Sequence, residues 1–168
     1  MRKLYLVVGP ERCGTRMLTE ALIVAGCAGN AGHKQAFLDE ASLELQLPET
    51  EGNYVVRMSV PHAGRWPELA KYKELDNCEV QFVAIFRETW AQEKSLELAW
   101  GTGGAMERRA WLFEQLAEVD AVLVDYEALC DVPEYRHWLF WEKLGLESPA
   151  MVFANANLKY LVEAECAS

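Results

Sequence analysis

Two glycines and two arginines near the start of the chain have the spacing of an anion-binding loop. The segment Gly9 to Arg16 reads Gly-Pro-Glu-Arg-Cys-Gly-Thr-Arg, after an apolar run and before apolar residues at helical spacing. Such a loop brings unpaired N–H groups and the positive end of a helix dipole to an anion. Arg12 and Arg16 add guanidinium groups, which bind oxyanions bidentately. We therefore predict an anion-binding loop, with an ordinary strand-to-helix turn as the alternative.

The same loop departs from the loop that binds ATP or GTP, which has the pattern G-x-x-x-x-G-K-[ST]. Gly9 and Gly14 keep the glycine spacing of that pattern. Thr15 stands where the lysine belongs, and Arg16 stands where the magnesium-ligating Ser or Thr belongs. No His cluster or carboxylate pair beside the loop offers a metal site. The sequence therefore predicts that the anion is bound without a metal.

A second cationic position follows the apolar run Val80–Phe86. Arg87 comes directly after this run, and Ser95 follows eight residues later, two turns into a predicted helix. A guanidinium group and a hydroxyl so placed can converge on one phosphate. The alternatives are a surface ion pair of Arg87 with Glu88 or Glu93, and a hydrogen bond from Ser95 to its own helix backbone.

Strands alternate with helices along the chain, and this pattern places the chemistry at one edge of a sheet. Short apolar runs predict four strands, Leu4–Val8, Tyr54–Met58, Val80–Phe86 and Ala121–Asp125. The expected fold class is α/β, a P-loop-containing three-layer fold in which helices cover both faces of a mostly parallel sheet. Ligands are expected at the carboxyl ends of the strands. We predict a single domain over residues 1–168.

Helices are also expected in three other segments. We predict a short helix over residues 41–47, a helix over 133–144 ended by Gly145, and a terminal helix within residues 148–168. The helix over 133–144 contains several aromatic side chains that we expect in the core rather than at a ligand, namely Tyr135, Trp138, Phe140 and Trp141.

Charge and composition narrow the set of partners. The 168 residues carry a net charge of −10, which argues against general affinity for nucleic acid. No apolar run is long enough to cross a membrane, and no signal peptide is visible. The five cysteines are odd in number and form no C-x-x-C pair, so neither a disulfide framework nor a zinc site is expected. These features favour a reducing, cytoplasmic setting without membrane partners.

Three separated stretches resemble motifs of the sulfotransferases that use 3′-phosphoadenosine 5′-phosphosulfate (PAPS). The loop Gly9 to Arg16 resembles their 5′-phosphosulfate loop. Residues Ala84 to Ser95 resemble their 3′-phosphate motif, in which an Arg closes a strand and a Ser follows eight residues later. The stretch Val124 to Leu129 looks like their Tyr-Glu-x-Leu segment. The resemblance covers roughly residues 3–145, is closest in style to small bacterial and phage-encoded relatives, and lacks the family's carboxyl-terminal Arg-Lys-Gly motif.

This resemblance implies an enzyme that moves a sulfonate group from PAPS to a hydroxyl or amine, without a metal. The product nucleotide is then adenosine 3′,5′-bisphosphate (PAP), and the acceptor is a small molecule or a carbohydrate. The resemblance also implies which residues bind the co-substrate, namely Arg12, Cys13, Gly14, Thr15, Arg16, Arg87 and Ser95.

The catalytic roles are likewise implied by resemblance. Arg12 neutralises charge on the leaving phosphate, and Arg57 takes the place of a lysine near the sulfonate. Ser59 stands where the usual catalytic histidine belongs, so the base must lie elsewhere. We predict His33, because other members, including protein-tyrosine sulfotransferases, carry a glutamate at the corresponding place. His62, in the loop after the second strand, is the alternative.

Several alternatives remain at this level. His33 is also consistent with an ordinary exposed loop histidine, and Glu20 and Asp39 are weaker candidates for the base. The whole protein is consistent with a nucleotide-binding module without catalysis, or with a small kinase that has a degenerate loop. The sequence predicts neither the acceptor nor the oligomeric state.

Overall fold

The computed structural model describes residues 2–49, 51–76 and 78–161. Its strands are β1 (Arg2–Pro10), β2 (Leu38–Asp39), β3 (Glu44–Leu45), β4 (Tyr54–Val60), β5 (Cys78–Phe86) and β6 (Ala121–Asp125). Four of them form a parallel sheet in the order β4-β1-β5-β6, and β2 and β3 form a separate antiparallel hairpin. All four predicted strands are confirmed. The run predicted over Val80–Phe86 becomes β5, one of the two interior strands.

Helices connect the strands of the sheet. They are α1 (Thr15–Val24), α2 (Thr89–Trp100), α3 (Ala105–Leu116), α4 (Tyr126–Asp131) and α5 (Pro133–His137), with a 3-10 turn over Leu69–Tyr72 and a π-helical stretch over Trp138–Leu144. The predicted helix over 133–144 is therefore confirmed, and Gly145 ends it in a left-handed conformation with φ of 67°. None of the helices in the described part of the chain has both the length and the apolarity needed to cross a membrane.

Both faces of the parallel sheet are covered. Successive side chains of a strand point to opposite faces, and β1 accordingly contributes Tyr5 and Val7 to one core and Leu4 and Leu6 to the other. The first core is completed by α1, α4 and the π-helical stretch, and the second by α3, the 3-10 turn and the β2–β3 hairpin. The fold is α/β, with a four-stranded parallel sheet flanked by helices, as the sequence predicts.

The short helix predicted over residues 41–47 is wrong, because this segment belongs to the β2–β3 hairpin. Leu43 has φ of 60°, which a right-handed helix does not allow. The Leu43 side chain is buried in the second core, and its carbonyl accepts a 2.7 Å hydrogen bond from the Tyr72 hydroxyl. Tertiary contacts therefore override the local helical pattern.

The prediction that four aromatic side chains serve the core is only partly right. Phe140 is fully buried, but Trp138 and Trp141 are 41% and 56% exposed. The terminal helix is described only as a helical turn over residues 158–161, and residues 162–168 lie outside the described residues. Cys166 lies among them, whereas Cys13, Cys27, Cys78 and Cys130 are buried, free thiols.

Candidate functional site

A cavity of about 720 Å³ opens at the carboxyl ends of the parallel strands. Its walls come from the loop after β1, the start of α1, the end of β4, and a C-terminal segment, residues 151–160. Most of the residues that the sequence analysis singles out line this cavity: Arg12, Gly14, Thr15, Arg16, His33, Arg57, His62, Arg87 and Ser95. Cys13 is not among the lining residues, and its side chain is fully buried. This burial raises the pKa of the Cys13 thiol to about 12.

The loop after β1 presents the start of α1 to the cavity. Gly14 precedes the helix with φ of 94°, and no side chain of the described residues caps the helix. The first-turn N–H groups therefore lack side-chain partners. A Cβ atom on Gly14 would lie 2.5 Å from Cδ2 of Tyr126, so only glycine fits at this position. Arg12 also has a positive φ, 70°, which turns the loop back toward the helix.

Arg87 is a buried guanidinium group at the end of β5, and only 5% of the residue is exposed. Its Nε donates a hydrogen bond to Oδ1 of Asn157, and its Nη1 donates to the carbonyl of Arg12 at 3.1 Å. The group lies 5.0 Å from the ring of Tyr126 and 5.5 Å from that of Tyr160. Its Nη2 is buried and has no hydrogen-bond partner among the described residues. One donor of a buried cation is thus available at the cavity wall.

The ion pair considered for Arg87 does not form, because the two carboxylates bind elsewhere. Glu93 accepts hydrogen bonds from the N–H groups of Gly104 and Ala105, at the start of α3. Glu88 accepts one from the indole of Trp90.

Ser95 contacts the loop rather than its own helix backbone. Its Oγ accepts a 2.9 Å hydrogen bond from Nε of Arg12. The guanidinium group of Arg12 also lies 5.9 Å from the ring of Trp100. We call Arg12, Gly14, Arg87, Ser95 and Tyr126 the arginine group, since each contacts another member.

Tyr126 and Glu127 fix the C-terminal segment next to the arginine group. The Tyr126 hydroxyl accepts a hydrogen bond from the N–H of Ala156 at 2.9 Å and donates one to the carbonyl of Ala154 at 3.3 Å. Oε1 of Glu127 accepts a 2.6 Å hydrogen bond from Nδ2 of Asn157. The Tyr-Glu pair that carries part of the family resemblance therefore positions the residue that binds Arg87.

A second group of side chains lines the cavity beside β4. The side chain of Arg57 donates from Nη2 to the carbonyl of Gly32 at 2.7 Å, and its backbone N–H donates to Oε1 of Gln35 at 3.1 Å. Its Nε is buried and unpaired within the described part of the chain. Burial, followed by the nearby charge of Arg16, lowers the pKa of Arg57. The loop before β2 is thereby fastened to β4.

His62 is held in one orientation within this second group. Its Nδ1 accepts a 3.2 Å hydrogen bond from the N–H of Ser59, and its Nε2 lies 3.9 Å from Oε1 of Glu40. Burial lowers the pKa of His62, so the imidazole is neutral over more of the pH range. Since the backbone N–H occupies the Nδ1 lone pair, the neutral ring carries its proton on Nε2. We call His33, Glu40, Arg57 and His62 the histidine group.

His33 lies in the exposed part of the cavity wall. Sequence reasoning did not single out Glu40, Trp100, Lys159 or Tyr160, which also line the cavity. Only their position in the tertiary structure distinguishes them from other residues of the same types.

Cations predominate around the cavity, although the chain as a whole is acidic. Arg12, Arg57 and Arg87 are joined there by Lys159, while Arg16 forms a 3.0 Å ion pair with Glu20. Among the described residues, no three His, Cys, Asp or Glu side chains come together in a way that could hold a metal ion.

Comparison with protein-family models finds no match, and comparison with curated proteins finds no significant similarity. The resemblance to sulfotransferases therefore depends on three short motifs, and the function is a proposal.

Proposed function

We propose that the cavity binds PAPS and that the protein transfers its sulfonate group to an acceptor. The strand, loop and helix over residues 2–24 serve as the phosphate loop in this proposal. The observation that carries it is the unsatisfied Nη2 of Arg87, which no described residue pairs. A buried, unpaired donor costs about 1–3 kcal/mol, and more when it is charged, so an anionic ligand is the natural partner.

Two anionic groups of one ligand fit the arginine group. The 5′-phosphosulfate is assigned to the start of α1, which no described side chain caps, with Arg12 and Arg16 of the same cavity wall. The 3′-phosphate is assigned to Arg87 with Ser95. Because Arg87 donates to the carbonyl of Arg12, the two sites are neighbours. This juxtaposition favours a nucleotide with phosphate groups at both ends of the ribose.

The reaction itself needs cationic groups that stabilise the charge of the leaving phosphate. When the sulfonate leaves PAPS, negative charge develops on the 5′-phosphate of PAP. Arg12 and the first-turn N–H groups of α1 stabilise that charge. Arg57 lies on β4, where it pairs with Val7 of the neighbouring strand β1. Its Nε, which is buried and has no hydrogen-bond partner among the described residues, is assigned to the sulfonate oxygens.

The test compares nucleotides that differ by one phosphate. Isothermal titration calorimetry would measure the affinity of the protein for PAP and for AMP, with wild-type protein and with Arg87→Lys. We expect PAP to bind more tightly than AMP, and Arg87→Lys to weaken PAP binding about 10- to 150-fold, the range for a lost charged hydrogen-bond pair. AMP affinity should change little.

Arg136→Lys is the matched control for this substitution. Arg136 also donates to backbone carbonyls, those of Leu129 and Cys130, and also lies over an aromatic ring, 5.0 Å from that of Phe153. It does not line the cavity. The ratio of PAP to AMP affinity should be unchanged in this variant. Equal affinity of wild-type protein for PAP and AMP would contradict the proposed 3′-phosphate site.

A thermal-shift comparison with Mg-ATP separates the proposal from the kinase alternative. PAP at 100 times its dissociation constant should stabilise the fold by about 2.7 kcal/mol. We expect PAP to bind more tightly than Mg-ATP, and transfer to survive EDTA. Strict dependence of turnover on Mg²⁺ would instead favour a kinase.

A further inference from the structure

We infer that His62 and Glu40 together hold the acceptor, and that the acceptor is an alcohol rather than an amine. The inference rests on the proposed function, since it names the substrate class of the same cavity. It starts from a pair of polar atoms that face each other without touching.

His62 can only donate a hydrogen bond to the cavity. The N–H of Ser59 occupies its Nδ1, so the neutral ring has its proton on Nε2. His62 is a residue of the cavity wall and is 6% exposed, and its Nε2 is buried without a hydrogen-bond partner in the described part of the protein. A buried donor of this kind calls for an acceptor atom on a ligand.

When Glu40 is ionised, its carboxylate has hydrogen-bond acceptors and no donor. One of its oxygens, Oε1, accepts from the backbone N–H of Gln35 at 3.3 Å, which fixes the carboxylate at the wall. The side chain is 34% exposed, so it is reachable from the cavity. The cavity therefore presents one donor and one acceptor side by side.

The separation of the two groups matches the size of one oxygen atom. Nε2 of His62 and Oε1 of Glu40 are 3.9 Å apart, too far for a direct hydrogen bond. An oxygen placed about 2.8 Å from each atom would bridge them. A hydroxyl satisfies both partners, because it accepts from Nε2 and donates its own proton to Glu40.

An amine does not satisfy the same pair. A protonated amine has donors only, and it would meet the N–H of His62 without an acceptor. A neutral amine has one lone pair, which must attack the sulfur and cannot also accept from His62. An alcohol oxygen has two lone pairs, so one accepts from His62 while the other attacks.

The transfer step balances with these groups. The hydroxyl oxygen of the acceptor forms a bond to the sulfur of PAPS, and its proton passes to the carboxylate of Glu40. The bond between sulfur and the bridging oxygen breaks, and its electron pair stays on the 5′-phosphate of PAP. The products are the sulfate ester, PAP and protonated Glu40, which releases its proton to water. Glu40 thus acts as the general base in this step.

The experiment measures PAP release from PAPS with matched pairs of acceptors. The pairs are benzyl alcohol with benzylamine, cyclohexanol with cyclohexylamine, and glucose with glucosamine. We expect the alcohols to exceed the matched amines by about 10-fold or more. Glu40→Gln keeps an oxygen for the N–H of Gln35 but cannot take a proton, and it should lower release by about 10² or more.

Two further variants test the donor. In His62→Asn the amide oxygen can still accept from the N–H of Ser59, while the donor to the cavity is lost, so release should fall by about 10-fold. Glu44→Gln, on β3 and outside this cavity, is the control and should release PAP at the wild-type rate. His33→Ala tests the competing assignment of the base.

The outcomes separate the inference from the proposed function. Failure of PAP to bind overturns the proposed function itself. If PAP binds tightly, three results would overturn the inference alone. They are that amines react as well as alcohols, that no alcohol reacts, or that Glu40→Gln keeps the wild-type rate. Loss of about 10² in His33→Ala, with Glu40→Gln unchanged, moves the base to His33.

Discussion

The arginine group and the histidine group line one cavity but are held in different ways. Arg87 contacts Asn157 and Arg12 across 70 and 75 residues of sequence. In the histidine group, Nδ1 of His62 contacts a backbone N–H only 3 residues away, and Glu40 contacts one 5 residues away. The longest side-chain hydrogen bond of this group within the described residues is that of Arg57 with Gly32, across 25 residues, which is still far shorter than those of Arg87.

The difference has a physical consequence for the two halves of the proposed reaction. Contacts between distant elements form only when the whole sheet and the C-terminal segment are in place, so the arginine group should respond strongly to substitution. Contacts within a loop depend on local backbone geometry, and loops tolerate change better than the elements that they connect. We therefore expect a rigid nucleotide site beside a more adaptable acceptor site.

The largest expected effect is that of Gly14→Ala, which breaks the arginine group. The new Cβ would lie 2.5 Å from the ring of Tyr126, at φ of 94°. Left-handed strain and overpacking together should lower the free energy of unfolding by about 2–5 kcal/mol. Urea denaturation would measure this loss.

Gly26→Ala is the control for this prediction. Gly26 has φ of 102°, but a Cβ there would meet nothing within 4 Å. Its cost should be that of the backbone alone, about 1–2 kcal/mol. Equal losses in both variants would contradict the claim that Tyr126 excludes a side chain at Gly14.

The next effect is that of Tyr126→Phe, which separates the C-terminal segment from the arginine group. The N–H of Ala156 would lose its acceptor, which should cost about 1–3 kcal/mol. Hydrogen exchange at the Ala156 amide should accelerate, and PAP affinity should fall because Asn157 no longer positions Arg87.

Tyr72→Phe is the matched control, since it removes the buried hydroxyl that donates to Leu43. It should cost about 0.5–1.5 kcal/mol without a change in PAP affinity. If Tyr126→Phe also left PAP affinity unchanged, the C-terminal segment would have no part in nucleotide binding.

A smaller effect concerns pH and the histidine group. Burial lowers the pKa of His62 in the folded protein, so below about pH 6.5 the unfolded chain binds more protons. Stability present above pH 6.5 is therefore lost as the pH falls through the folded pKa, by at most about 1.4 kcal/mol per pH unit for one proton.

The measurement is the difference in unfolding free energy between wild-type protein and His62→Asn from pH 7 to pH 5. Other titrating groups cancel in this difference. We expect the wild-type protein to lose stability more steeply than the variant. Parallel curves would show that His62 is not buried as a neutral ring.

The smallest effect is that of Glu20→Gln, which removes the exposed ion pair with Arg16. Such pairs contribute about 0.2–0.5 kcal/mol, so the free energy of unfolding should hardly change. A loss above about 1 kcal/mol in urea denaturation would mean that Arg16 is held in place by Glu20.

The sheet and the loop after β1 could be predicted from the amino-acid sequence. Apolar runs of five to seven residues predict the strands, because a strand buried on both faces needs continuous apolar side chains. Gly14 was recognisable from its spacing to Gly9, and the structure adds the reason for a glycine there, a positive φ and the close approach of Tyr126. Arg87 was found from its position after such a run, since parallel strands end at one edge, and Arg57 was found from the family resemblance.

The remaining features depend on contacts between segments that are far apart in the sequence. The partner of Arg87 is Asn157, from a segment without a clear pattern, and nothing local indicates a contact across 70 residues. Residues 41–47 form a hairpin because Leu43 and Tyr72 pack together. Nε2 of His62 faces Glu40 because the N–H of Ser59 binds the other ring nitrogen, Nδ1. This orientation depends on backbone geometry and cannot be read from the amino-acid composition.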